Sequence, residues 1–299
     1  MHLVHWGLWG TLLAHLCLCN AFSSPSFQGN LPISGILANN NNNDNDEMDT
    51  FDIFVKMRTG LGSGNGSNDI VFWTGEGELY EAPSGKLLAK LDGFEVSRAT
   101  YMDENKGHVR IFSRKIFWYR DVHTKEVMKE YDGQQVNPIK YDWQVFDLTR
   151  GSSNEKDPFL VSIIPKVIKS PRAPPLMPIT PQLAGSKNQI LFQVPLFIDL
   201  EIPGGRGYYR AWEFYDYFID SNFPTNRPPS LAWTRNGANP PFVNDEKGVM
   251  HFHGYRVDSF DNLPEHLQHL VKKEYPIFIG PPKNMEEVDA LIAEANKSR

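Results

Sequence analysis

"DIVFWTGEGELYEA", residues 69–82, is one of a succession of short aromatic and β-branched runs separated by Gly, Asn and Asp. Such residues fit a pleated, half-buried surface, and runs of this length bounded by turn-formers read as antiparallel strands. Working outward, the same pattern holds in "FDIFVKM" (51–57), "KLLAKLDGFEVSRATYM" (86–102), "HVRIFSRKIFWYRDV" (108–122), "KEVMKEYD" (125–132) and "WQVFDL" (143–148). "YMDENKGHV" (101–109) and "RDVHTKEV" (120–127) read as hairpin turns, because Asn, Asp and Gly tolerate turn geometries. Between 151 and 189 the rhythm breaks at Pro158, Pro165, Pro171, Pro174, Pro175, Pro178 and Pro181, which predicts a long loop over a cavity mouth. Strands resume in "QILFQVPLFIDLEI" (189–202), "YYRAWEFYDYFI" (208–219), "SLAWTRNG" (230–237) and "VMHFHGYRV" (249–257). Helix is expected only at the end. There, Pro264 opens one candidate helix before Pro276, and Asn284 caps a second with Glu287 three residues on. The predicted fold is all-β, an antiparallel barrel-like sheet with an internal pocket and two C-terminal α-helices.

The chain has 299 residues, 40% of them hydrophobic and 12% aromatic, enough for a large core. Its net charge of −6 comes without a basic block, which argues against nucleic acid as a partner. Residues 1–21 contain no Asp, Glu, Lys or Arg and end in Cys19-Asn20-Ala21, a pattern that reads as a signal peptide and is short for a membrane span. No stable span is expected after its removal. Both cysteines, Cys17 and Cys19, leave with it, so neither a disulfide nor a thiolate is expected in the mature chain. Residues 22–48 read as a disordered leader. Phe22 after the cut, followed by a serine-rich and acid-poor stretch, resembles the bipartite plastid-targeting leaders of diatoms and related algae. That resemblance implies a plastid destination through the secretory pathway, with secretion as the alternative. Residues 49–282 then form the β domain and 283–299 the terminal helix.

The histidines of "VMHFHGYRV" carry the first candidate chemistry. In a strand, His251, His253 and Tyr255 share one face, while Met250, Phe252 and Arg256 share the other. Two imidazoles on one face can seat a transition metal with a carboxylate from Glu213 or Asp216. A metal site needs three or four ligands, however, and no further His or Cys stands at a motif spacing. The metal-free reading makes His251 or His253 a general acid or base beside Glu213. Arg235 or Arg114 then holds an anionic group, and Trp233 and Trp73 line the pocket. The plain alternative is scaffold. Neither a metal nor a cofactor is expected. Arg98, Arg114, Arg210 and Arg235 each interrupt an aromatic run. Any that face inward should meet Glu76, Glu78, Glu213, Asp216 or a bound anion, whereas Arg110 and Arg120 should face outward. "GLGSGNGS" (60–67) lacks the lysine of a P-loop, and no G-x-S-x-G is present.

Phe72-Trp73-Thr74-Gly75, Gly93-Phe94 to Arg98, Ser113-Arg114 to Thr124, Trp233-Thr234-Arg235, His253-Gly254 and Ser259 to Pro264 together resemble DUF1838, an uncharacterised bacterial and algal family. The likeness runs from residue 51 to about 282. The chain departs from the family pattern at Ala238-Asn239-Pro240-Pro241-Phe242, where an aromatic-rich segment would stand. The resemblance supplies no reaction. The expectation is a small-molecule ligand and a cofactor-independent enzyme of isomerase, cyclase or hydrolyase type in algal specialised metabolism, with the domoic-acid kind suggested by the leader alone. The alternative is a non-catalytic binding or accessory protein of such a pathway.

Overall fold

The computed structural model describes residues 50–61, 70–103, 105, 107–151, 159–163, 177–184, 189–201, 208–220, 227–238, 240, 242–243 and 247–297. All lie within the compact unit Asn42–Arg299. The expected signal peptide and leader fall outside these residues.

Among the described residues twelve strands follow in order: β1 (Val71–Ala82), β2 (Leu87–Tyr101), β3 (His108–Arg120), β4 (Glu130–Tyr131), β5 (Gln134–Gln135), β6 (Ile139–Arg150), β7 (Phe159–Ile163), β8 (Met177–Ala184), β9 (Gln189–Glu201), β10 (Tyr208–Asp220), β11 (Ser230–Ala238) and β12 (Lys247–Val257). All but the small β4–β5 hairpin close into one barrel, ordered β1-β12-β11-β10-β9-β8-β7-β6-β3-β2. Each neighbouring pair is antiparallel, and closure leaves the barrel itself without an edge strand among the described residues. The expected all-β barrel is therefore present.

Of "KEVMKEYD" only Glu130–Tyr131 is strand, with Val127 in an isolated bridge to Arg120, and two further strand and loop expectations change. "FDIFVKM" is not a strand but part of helix α1 (Thr50–Thr59). Phe51, Ile53, Phe54, Val55 and Met57 are all buried, because the helix lies against the inner wall and meets protein on several sides. Phe54 packs edge-on against Phe192 of β9 and Tyr217 of β10, and Trp73 of β1 donates its indole N–H to the Arg58 carbonyl at 3.2 Å. Arg256 of β12 closes the helix C-terminus by donating to the carbonyls of Lys56 (2.8 Å) and Met57 (3.0 Å). The second change lies in the Pro-rich stretch, where β7 and β8 join the barrel wall despite Pro178 and Pro181. A proline removes one ladder donor but keeps its carbonyl and an extended φ, so a short ladder survives. The rest of that stretch lies outside the described residues.

The two C-terminal helices, α2 (Glu265–Glu274) and α3 (Met285–Lys297), pack on the outer wall. Leu267 and Val271 of α2 cover Phe72, Phe94, Val96, Ile116 and Trp118. Val288 of α3 meets Phe112 and Val145, and the Glu287 backbone N–H donates to Asn284 Oδ1 at 3.1 Å, the cap expected from the sequence. No helix among the described residues is long and apolar enough to cross a membrane.

Candidate functional site

Register decides which side chains enter the barrel. Trp73 and Tyr217 both touch α1 and so mark the inner face of β1 and β10. Alternation from them, carried across the ladders, turns Glu95, Lys115, Glu213, Tyr215, Trp233, Arg235, Met250 and Phe252 inward. It turns Arg114, His251 and His253 outward. Cross-strand pairing then places Glu213 opposite Arg235, Tyr215 opposite Trp233, and Glu95 opposite Lys115.

These pairs form one polar row. Glu213 is buried, and its Oε2 accepts hydrogen bonds from the Tyr215 hydroxyl (2.6 Å) and the Trp233 indole N–H (3.0 Å). Its Oε1 lies 3.7 Å from Arg235 Nε, an ion-pair distance beyond hydrogen-bond reach. Lys115 Nζ donates to the Tyr215 hydroxyl at 3.3 Å and stands 3.7 Å from Glu95 Oε2. The other Glu95 oxygen bonds Arg58 of α1, whose guanidinium also lies over the Tyr217 ring.

The electrostatics follow from that burial. The Tyr215 phenol is pushed well above its ordinary value by burial and by the charge of Glu213, so it stays protonated and keeps donating. Tyr217 is pushed up to about 12, again by burial. Burial alone would raise the Glu95 carboxyl, but Arg58 and Lys115 outweigh it and hold the group below the usual carboxylate range. Burial lowers Arg235, against the opposing pull of Tyr141 and Tyr119.

Part of the interior is open. Where α1 sits, the inward side chains are fully covered, as Phe192, Tyr217 and Trp73 show. Farther along, Phe242 and Val243 pack on Leu79, Leu91, Tyr119 and Met250. Between these plugs the inward residues Lys115, Val194, Leu196, Tyr215 and Trp233 are only half-buried, and Tyr141 of β6 is 44% exposed.

Of the residues anticipated from sequence, Glu213, Arg235 and Trp233 meet in this row. Trp73 also faces inward, but α1 covers it. Arg114 is placed elsewhere: it faces the outer wall and holds α3, donating to Glu287 (2.7 Å), the Gly280 carbonyl (2.6 Å) and the Asp142 carbonyl (2.9 Å). His251 and His253 stand on the outer wall too, since the inner face of β12 takes Met250 and Phe252. Their Nε2 atoms face each other at 2.8 Å, and His251 Nδ1 meets Thr234 Oγ1 at 2.9 Å. Burial and the neighbouring His253 lower the His251 pKa, with Glu78 pulling the other way. Among the described residues no three His, Cys, Asp or Glu side chains converge as a metal site would require. Arg110 and Arg120 face outward as expected, paired with Asp147 and Asp92. A separate open cleft of about 210 Å³ lies on the outer wall by α2, lined by Glu76, Asp92, His253, Tyr255 and His266, and His266 closes on Asp92 at 2.7 Å. Lys115, Tyr215, Glu95 and Tyr141 were not anticipated. Their signal is strand parity, and the sequence "SRK" (113–115) does not say whether Arg114 or Lys115 points in.

Residues 203–293 match the family model DUF1838, described as a protein of unknown function. Over that stretch the chain is similar to DUF1838. The matched segment carries Glu213, Tyr215, Trp233 and Arg235, whereas Glu95 and Lys115 come from strands before it. Phe242, in the segment that departs from the DUF1838 pattern, packs edge-on against Tyr119 at 4.8 Å and so helps close one end of the barrel. No curated protein matches the chain.

Proposed function

We propose that the barrel interior holds a small organic molecule and moves a proton on it, with Glu213 as the acid–base group. The observation that carries this is the division of labour on one buried carboxylate. Oε2 is fixed by Tyr215 and Trp233, while Oε1 takes no hydrogen bond among the described residues and faces the half-open interior. A carboxylate so oriented can take a proton and return it, and Arg235 beside it steadies developing negative charge. The reaction class is an isomerisation, cyclisation or addition–elimination of water. Each of these needs proton transfer and no nucleotide. The algal leader supports a plastid setting in specialised metabolism, and a fusion of residues 1–48 to a fluorescent protein tests it. Export to the medium without plastid signal would remove that part.

The experiment for the chemistry compares metabolites of a strain carrying the wild-type gene with one carrying Glu213→Gln. One compound should accumulate in the variant, and purified wild-type protein should convert it. A protein with both outer histidines changed, His251→Ala and His253→Ala, should still convert it. A second reading, a carrier that binds without conversion, is favoured by the fixed hydrogen bonds on Oε2, which suit recognition as well as catalysis. Equal binding by both proteins with conversion by neither selects that reading.

A further inference from the structure

Lys115 has weak partners for a cation inside the barrel. Around the open part, Arg58, Lys115 and Arg235 stand among Glu95 and Glu213. Arg150 and Arg256 also turn inward near α1, but they pair with Asp52 and Asp258. Arg58 takes Glu95 directly, and Arg235 lies beside Glu213. Lys115 is left with a shared carboxylate 3.7 Å away, the Tyr215 ring at 5.3 Å and one hydrogen bond, to a phenol oxygen whose proton is already committed to Glu213. An ammonium has three donors, so the Lys115 head keeps donors without an acceptor at hydrogen-bond distance among the described residues. Holding such a cation in a largely enclosed site, its side chain 13% exposed, costs free energy unless an anion completes it.

We propose that the ligand of this interior is a monocarboxylate with an apolar body, and that Lys115 receives its carboxylate. This rests on the interior being the ligand site. A carboxylate supplies the acceptors that the Lys115 head lacks among the described residues. The apolar body suits Val194 and Leu196 of β9, which face inward by register, and Trp233. With the carboxylate on Lys115, the Lys115–Tyr215–Glu213 row places the rest of the molecule toward Glu213 Oε1.

The test uses matched probes on the purified protein, benzoate against benzyl alcohol and 2-naphthoate against 2-naphthylmethanol, read by titration calorimetry. In at least one pair the carboxylate should bind about tenfold tighter than its alcohol, as expected of a charge-assisted hydrogen bond. Lys115→Met should remove that preference while leaving alcohol affinity unchanged, and Lys115→Arg should restore it, which separates charge from folding. Val194→Trp, filling space opposite Tyr215, should abolish binding of all probes. If binding survives Val194→Trp, the interior is not the site and the acid–base reading falls with the proposal. If Val194→Trp abolishes binding but the pairs bind equally, or Lys115→Met keeps the preference, the carboxylate assignment alone is overturned. Failure of both pairs to bind overturns it as well.

Discussion

Glu95 stands between two cations, Arg58 from α1 and Lys115 from β3, and so links the helix inside the barrel to the polar row. Its carboxyl titrates below the usual range of about 4.5 because those charges outweigh burial. A depressed carboxylate contributes stability that is present above the unfolded-state value and lost as pH falls through the folded one. The melting midpoint of the wild type should therefore drop as pH falls below about 4.5. Glu95→Gln should melt lower at neutral pH, by the equivalent of roughly 3 kcal/mol, since Arg58 is left buried without its partner. It should also lose part of the acid slope. Calorimetric scans across that range check both, and an unchanged slope in the variant would show that other carboxylates carry it. The same scale shows what alternation left open in the sequence. Grouping His251 with His253, opposite Met250 and Phe252, needs only period two and could be read directly. Which group faces inward depends on what the neighbouring strands bury, and that information is not local.

At the scale of elements, α1 is where sequence patterning misled. A helix on a surface shows one apolar stripe, but one surrounded by protein is apolar on several sides, and a short run of Phe, Ile and Val then resembles a strand. β7 and β8 were hidden for the opposite reason, since proline lowers strand propensity although three residue pairs suffice to join β7 to β8. The C-terminal helices were legible because their caps and stripes are local. Phe54, 2% exposed and packed on Phe192 and Tyr217, ties α1 to the far wall. Phe54→Ala should cost about 3–5 kcal/mol, a fall in melting temperature of roughly ten degrees. Thermal unfolding followed by circular dichroism measures it. A fall of only a degree or two would mean that α1 docks without contributing to the stability of the barrel.

For the whole molecule, what matters is closure: β1 must pair with β12, some 175 residues downstream, and nothing local announces that contact. Three inward glycines, Gly254 of β12, Gly75 of β1 and Gly93 of β2, lie side by side at the seam. A methyl group on Gly75 would stand 1.9 Å from the His253 carbonyl oxygen, and one on Gly93 would stand 2.2 Å from that of Ile116. The neighbouring backbones therefore approach more closely than any side chain allows, which lets the wall coil tightly enough to close. Because the obstacle is backbone and not a movable side chain, relief requires the strands to part. Gly75→Ala should lower stability by about 2 kcal/mol or more, beyond what an added methyl costs in a core that can shift. Gly280→Ala is the matched control, since nothing lies within 4 Å of its would-be Cβ, and it should melt within about a degree of wild type. Side-by-side melting curves decide the matter. If the two variants melt alike, the glycine seam is not what sets the curvature, and closure rests on the α1 plug and the outer helices.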